Sequence, residues 1–121
     1  MLVYQDLSYK VMGALFAVNK ELGFGFKEQI YQEALAKELN LRGIKFKREN
    51  FSRISYKGKR VGCVFHDFIV EGKIILELKV GNEIYESHLK QVLLYLKESR
   101  LKLGIVAVFS PAGVIYKRIV M

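Results

Sequence analysis

The stretch Val61–Val80, VGCVFHDFIVEGKIILELKV, decides how this chain folds. Two apolar runs flank Glu71-Gly72. Each has the length and β-branched content of a strand, and the glycine between them is a hairpin signal. The spacing predicts a strand over 61–70, a tight turn, and a second strand over 73–80. Successive side chains of a strand point to opposite faces. Glu77 and Lys79 therefore share a face, and Leu78 points the other way. A turn at Glu71-Gly72 sets Asp67 opposite residue 76 or 77, so Asp67 and Glu77 are expected neighbours with Lys79 beside them. His66, next to Asp67, points to the opposite face, and Cys63 reads as a small buried hydrophobe.

On the N-terminal side, Val11, Ala14, Leu15, Val18 and Leu22 recur at helical spacing and predict a helix over about 5–21, capped by Asp6 or Ser8. Gly23 and Gly25 break it. A second helix is expected over 26–41, ended by Gly43. The segments 44–50 and 51–56 read as two strands, followed by a turn at Lys57-Gly58-Lys59. Beyond the hairpin, a helix is expected over 84–99 and a buried strand over 103–109. Ser110-Pro111-Ala112-Gly113 then turns the chain into a last strand over 114–120. No linker or repeat interrupts this order. It describes one α/β layered domain over residues 1–121.

Composition narrows the class. With 121 residues, 51% of them apolar, the chain can bury one core and is not a disordered segment. The longest uncharged run, Leu103–Tyr116, is broken by Gly104, Pro111 and Gly113 and falls short of the ~20 residues of a membrane span. No signal-peptide pattern opens the chain. One cysteine excludes an internal disulfide framework and a cysteine-rich zinc site. A cytoplasmic domain with no membrane partner is expected.

The net charge is +8, and it is concentrated. Between Arg42 and Arg60 lie Arg42, Lys45, Lys47, Arg48, Arg53, Lys57, Lys59 and Arg60, against one acidic residue, Glu49. Such a run suits the phosphate backbone of a nucleic acid, with Lys117 and Arg118 as further candidates. Charge-protected edge strands would give the same run.

The chemistry centres on Asp67, Glu77 and Lys79. Two neighbouring carboxylates repel unless a proton or a cation lies between them. A hard divalent ion, Mg²⁺ or Mn²⁺, takes oxygen ligands of this kind and acidifies a bound water. Lys79 can orient that water or offset charge growing on a phosphate. An ion-pair cluster at the end of a hairpin meets the same spacing. Glu28, in the first turn of the second helix, is a further candidate, although the helix dipole alone favours a carboxylate there. His88, Gln91 and Tyr95 lie on one face of the third helix. Such a stripe ordinarily faces water, but Gln91 can instead bond a phosphate or a water at the site.

These residues also fall into a known pattern. Gly25-Phe26-Lys27-Glu28-Gln29-Ile30-Tyr31 fits the signature Gly-x-x-Glu-x-x-Tyr. The chain resembles the GxxExxY proteins, small prokaryotic members of the PD-(D/E)XK nuclease superfamily. The likeness runs nearly end to end, through Tyr56-Lys57-Gly58, Asp67, Glu77-Leu78-Lys79, His88-x-x-Gln91 and Lys117-Arg118-Ile119-Val120. It departs at Phe24, where many relatives have Pro, at Val108-Phe109-Ser110, where they carry Asn-Phe-Gly, and at His66, which stands where Pro is common.

The resemblance implies a restriction-endonuclease-like core, a mixed central β-sheet flanked by α-helices. It implies that Asp67 and Glu77 are the superfamily carboxylates and Lys79 its lysine. Glu28 resembles the helix-borne acidic residue that completes metal binding, and Gln91 the polar residue on the following helix. The function expected is hydrolysis of phosphodiester bonds by a metal-activated water. Glu28, Asp67, Glu77 and the Leu78 carbonyl would hold Mg²⁺ or Mn²⁺. Nucleic acid is the expected partner, DNA ahead of RNA, with specificity weak or supplied by a homodimer or a partner protein. The alternative is a non-catalytic nucleic-acid-binding or assembly module on the same fold.

Overall fold

The computed structural model describes residues 3–121, and the side chains of all of these except 49–53 and 63–66. The readings made above for the side chains of Arg53, Cys63 and His66 therefore lie outside the described residues. Three helices and five strands follow in the order α1 (Gln5–Leu22), α2 (Glu28–Leu41), β1 (Phe46–Tyr56), β2 (Lys59–Val70), β3 (Ile74–Val80), α3 (Glu86–Ser99), β4 (Leu103–Ser110) and β5 (Gly113–Val120). The strands form one mixed sheet in sequence order. Neighbours are antiparallel except β3 and β4, which run parallel through the crossover helix α3.

Strand alternation sorts the core into two layers. Phe68, Val70, Ile74, Leu76, Leu78, Leu103, Ile105, Ala107 and Phe109 pack under α1 and α2. Ile75, Val106 and Val108 pack under Val92, Tyr95 and Leu96 of α3. The central strands β3 and β4 are covered on both faces, which is why they read as near-continuous apolar runs. Gly104 marks the closest approach of helix to sheet. A Cβ there would collide with Val92 Cγ1 and stand 3.5 Å from Leu96 Cδ1. Gly104→Ala is expected to destabilise the fold by about 1–3 kcal/mol through overpacking. Urea unfolding with an unchanged m-value would register it.

The structure corrects three local expectations. The segments 44–50 and 51–56 are not two strands: one strand covers Phe46–Tyr56, with a register shift at Ile54/Ser55. No glycine or proline separates the two halves, so the ladder continues, and the bulge absorbs the change of phase. Neither Asp6 nor Ser8 caps α1, which starts earlier, after Tyr4. Asp6 lies in its first turn, where the dipole favours an anion. Ser8 is buried and accepts a hydrogen bond from Arg118 Nε at 3.2 Å. Finally, α2 begins at Glu28 rather than residue 26.

Candidate active site

The β2–β3 hairpin turns at Glu71 and Gly72, both at positive φ, with Lys73 N–H donating to the Val70 carbonyl at 2.9 Å. Primed turns need that backbone geometry, and they fix the register that follows. Val70 pairs with Ile74, and Phe68 with Leu76. Beyond that pair the ladder gives way to side chains. Asp67 N–H donates to Glu77 Oε1 at 3.2 Å, and Leu78 N–H donates to Asp67 Oδ2 at 2.7 Å. Of the two registers read from the sequence, Asp67 thus takes the one opposite Glu77. Each carboxylate satisfies a backbone donor exposed by the parting strands and keeps a second oxygen for another partner.

A third carboxylate comes from the other layer. The loop between α1 and α2 turns at Gly23 (φ 69°) and Gly25 (φ 123°). Tyr31, fully buried on α2, holds it in place. Its hydroxyl donates to the Gly23 carbonyl at 2.6 Å, and its ring stacks on Phe109 with centroids 4.2 Å apart. Phe109, in the buried strand β4, pairs with Val80 at the end of β3. The clamp therefore fixes the start of α2, and with it Glu28, against the carboxyl end of the parallel strands. From the sequence, Tyr31 is expected to pack or hydrogen-bond under the active-site face, but its partner, the Gly23 carbonyl, depends on the path of the glycine loop. Tyr31→Phe is expected to cost about 1 kcal/mol, the net worth of one such bond, and to loosen the loop. Thermal melts and hydrogen exchange at residues 23–28 would detect both.

The electrostatics couple the three groups. Burial pushes the Glu77 carboxyl up to about 8, with repulsion from Asp67 adding to the rise and Lys79 opposing it. Burial also raises Asp67, against the Leu78 N–H bond and Lys79. Glu28 is raised by burial, with Lys79 lowering and Asp67 raising it. Near neutral pH Glu77 is therefore largely protonated beside Asp67. Among the described residues, the three carboxylates lack counter-charge beyond Lys79 and, for Asp67, Arg48. A hard divalent cation would supply that charge, and the oxygen-only donor set matches its preference. Among the described residues no group of three or more His, Cys, Asp and Glu side chains already forms a metal cage. The carboxylates would have to close onto an ion from the hydrogen-bonded positions they hold here.

The remaining candidates divide. His88 lies close enough to Lys79 for that ammonium, after burial, to lower its pKa. Its Nδ1 accepts the Tyr85 N–H at 3.3 Å and caps α3, a role the sequence did not suggest. Gln91 Nε2 donates to Tyr95 Oη at 2.6 Å, and the described contacts join it to that buried ring rather than to the carboxylates. The basic run is not one patch. Arg42 pairs with Glu38 at 2.7 Å at the far end of α2. The Lys45 backbone is bonded to Glu71 at the turn, also away from Glu77. Lys47 is exposed on β1. Arg48 pairs with Glu33 at 2.9 Å, lies over the Phe68 ring and lowers Asp67, so it borders the site. Lys57, Lys59 and Arg60 are exposed at the tip of the β1–β2 ribbon. That ribbon runs past the end of β3, since only residues 68–70 of β2 pair with it.

Comparison with known proteins agrees with this fold. The family model of the PD-(D/E)XK nuclease superfamily matches residues 5–119. Among solved structures, the one described as "Crystal structure of SSO0001" superposes with a TM-score of 0.61 at 19% identity, over 96% of this chain and 58% of that one. At that identity the likeness shows the fold. This chain spans less than two thirds of that protein's length. No curated protein matches the sequence. The mixed five-stranded sheet with helices on both faces is a restriction-endonuclease-like α/β fold. No helix among the described residues is long and apolar enough to cross a membrane.

Proposed function

The chain belongs to the PD-(D/E)XK nuclease superfamily, and from that premise we propose that it is a divalent-metal-dependent nuclease of the GxxExxY group. It acts as a single unit over residues 1–121, in the cytoplasm, on DNA ahead of RNA. The observation that supports this best is the pairing of Asp67 with Glu77. Two carboxylates meet where a strand pair parts, with Lys79 on the Glu77 face, and the Glu77 proton is held to about pH 8. Burying such a pair destabilises a fold, so its presence calls for a functional reason.

In the proposed mechanism Asp67, Glu77 and Glu28, with the Leu78 carbonyl, would hold Mg²⁺ or Mn²⁺. When bound, that ion supplies acidification of a water and charge neutralisation at the phosphate. Lys79 orients the attacking water and offsets the charge that grows on the non-bridging oxygens. The water attacks phosphorus in line with the leaving oxygen. Arg48, beside Asp67, draws the phosphate toward the carboxylates. The basic ribbon tip at Lys57, Lys59 and Arg60 tracks the backbone farther along the substrate. Gln91 contributes by orienting substrate once its amide turns from Tyr95. A homodimer or partner would supply sequence specificity.

The test is incubation with plasmid, linear duplex, single-stranded DNA and RNA in Mg²⁺, Mn²⁺ or EDTA. Cutting that needs the divalent ion is expected. Salt-sensitive binding without cutting of any substrate would overturn the nuclease reading in favour of a non-catalytic binding or assembly module.

A further inference from the structure

A cavity of about 590 Å³ opens between α1 and the edge strand β5. It lies at the β5 edge of the sheet, where Tyr116 and Arg118 flank Lys117, two strands across from Glu77. The C-terminus of α1 leads into the Gly23–Gly25 loop beside the carboxylates, and Tyr9 lies thirteen residues upstream of Leu22, roughly 20 Å along the helix. The walls combine aromatic rings with cations. Tyr9 is 80% exposed, and Phe16 and Tyr116, each about half exposed, meet edge to face with centroids 6.3 Å apart. Lys10, Arg42 and Arg118 line the same space, and no carboxylate does among the described residues. Arg42 leans over Gly13, where a Cβ would stand 3.1 Å from its guanidinium. Arg118 bonds the neutral oxygens of Ser8 and Val3, and no ion pair offsets its charge among the described residues.

We propose that this cavity binds one or two unpaired nucleotides of a single-stranded nucleic acid. The bases would lie against Tyr9, Phe16 and Tyr116, and the phosphates on Lys10 and Arg118. Stacking on exposed rings beside a cationic track is how single strands are held without regard to sequence. The volume falls within the roughly 300–1,000 Å³ usual for sites that enclose organic ligands. The charge excludes other occupants. A second copy of a chain of net charge +8 would set cations against cations, and an apolar peptide would desolvate Arg118, whose charge no ion pair offsets among the described residues. A bare phosphate would leave the rings unused. Binding here does not depend on cleavage at Glu77, and it would anchor an unpaired tail of a longer substrate.

The chain has no tryptophan, so Tyr9→Trp installs a unique reporter at an exposed position. In EDTA, titration with oligothymidylate is expected to quench its emission, and inorganic phosphate at equal ionic strength is not. In anisotropy measurements, Tyr9→Ala is expected to weaken oligothymidylate binding by about 5-fold or more. Duplex binding and the melting temperature should stay unchanged, and Tyr9→Phe should restore the affinity. Unquenched emission at saturating oligothymidylate would overturn the proposal. So would equal losses for single strand and duplex, or no loss at all. Neither measurement reads cleavage, so a failed cavity and an inactive nuclease are distinguishable.

Discussion

Lys79→Met is expected to lower metal-dependent cleavage by about 100-fold or more, the loss typical when one preorganised charge stabiliser is removed from a reacting centre. Methionine keeps the aliphatic stem on β3, so the strand and its pairing with Val108 of β4 stay intact. The ammonium has two duties to separate. It lowers the pKa of Glu28, Asp67 and Glu77, which favours the anionic forms that an ion requires. In the proposed mechanism it also offsets the charge that grows on the phosphate. A Mg²⁺ titration divides these duties. If the first dominates, raising Mg²⁺ or pH restores the rate. If the second dominates, the deficit persists at saturating metal, and that is the result expected. Binding of substrate in EDTA should survive, because in the proposed mode several other cations contact phosphate. Undiminished cleavage by a clean preparation of the variant would remove Lys79 from the mechanism.

The site's central pair was legible because it depends on one short hairpin. A period-2 pattern and a two-residue turn signal fix register to within one residue, and Asp67 lands opposite Glu77. Glu28 was legible as a candidate in the first turn of the second helix and again in the signature, but what brings it to the site was not. The cause of its approach is the Tyr31 clamp on Gly23 and the stack on Phe109. Both join residues whose proximity depends on the whole α/β packing, and no local rule reports them. The basic run shows the opposite failure. Residues contiguous in sequence look like one patch, but β1 has eleven residues and spans about 35 Å. Arg42 and Lys45 therefore sit at one end of the molecule and Lys57, Lys59 and Arg60 at the other. The division of this segment into two strands between Asn50 and Phe51 was a false break, since alternation falters there without any residue that stops a ladder.

In EDTA at pH 9, Glu77→Gln is expected to be more stable than the wild type, and in Mg²⁺ it is expected to lose cleavage. The Glu77 carboxyl has a folded-state pKa of about 8, above its ordinary 4.5. Between those values the native state holds a proton that the unfolded chain has released. Stability therefore falls as pH rises through that window. Each tenfold difference in proton affinity between the two states corresponds to about 1.4 kcal/mol, so the full effect above pH 8 is on the order of a few kcal/mol. Glutamine cannot ionise. Its carbonyl oxygen can still accept the Asp67 N–H that Glu77 Oε1 accepts, and its amide can donate to the Asp67 carboxylate as a protonated Glu77 does. The variant should match the wild type near pH 4.5 and pull ahead as pH rises. Mg²⁺ should narrow the gap at high pH by binding the ionised native pair, a gain the variant largely forgoes. Urea melts from pH 4.5 to 9, with and without Mg²⁺, measure all of this. A variant less stable than the wild type at pH 9 would mean that Glu77 is held there as a stabilising anion. The strained carboxylate pair, on which the metal-site argument rests, would then not exist.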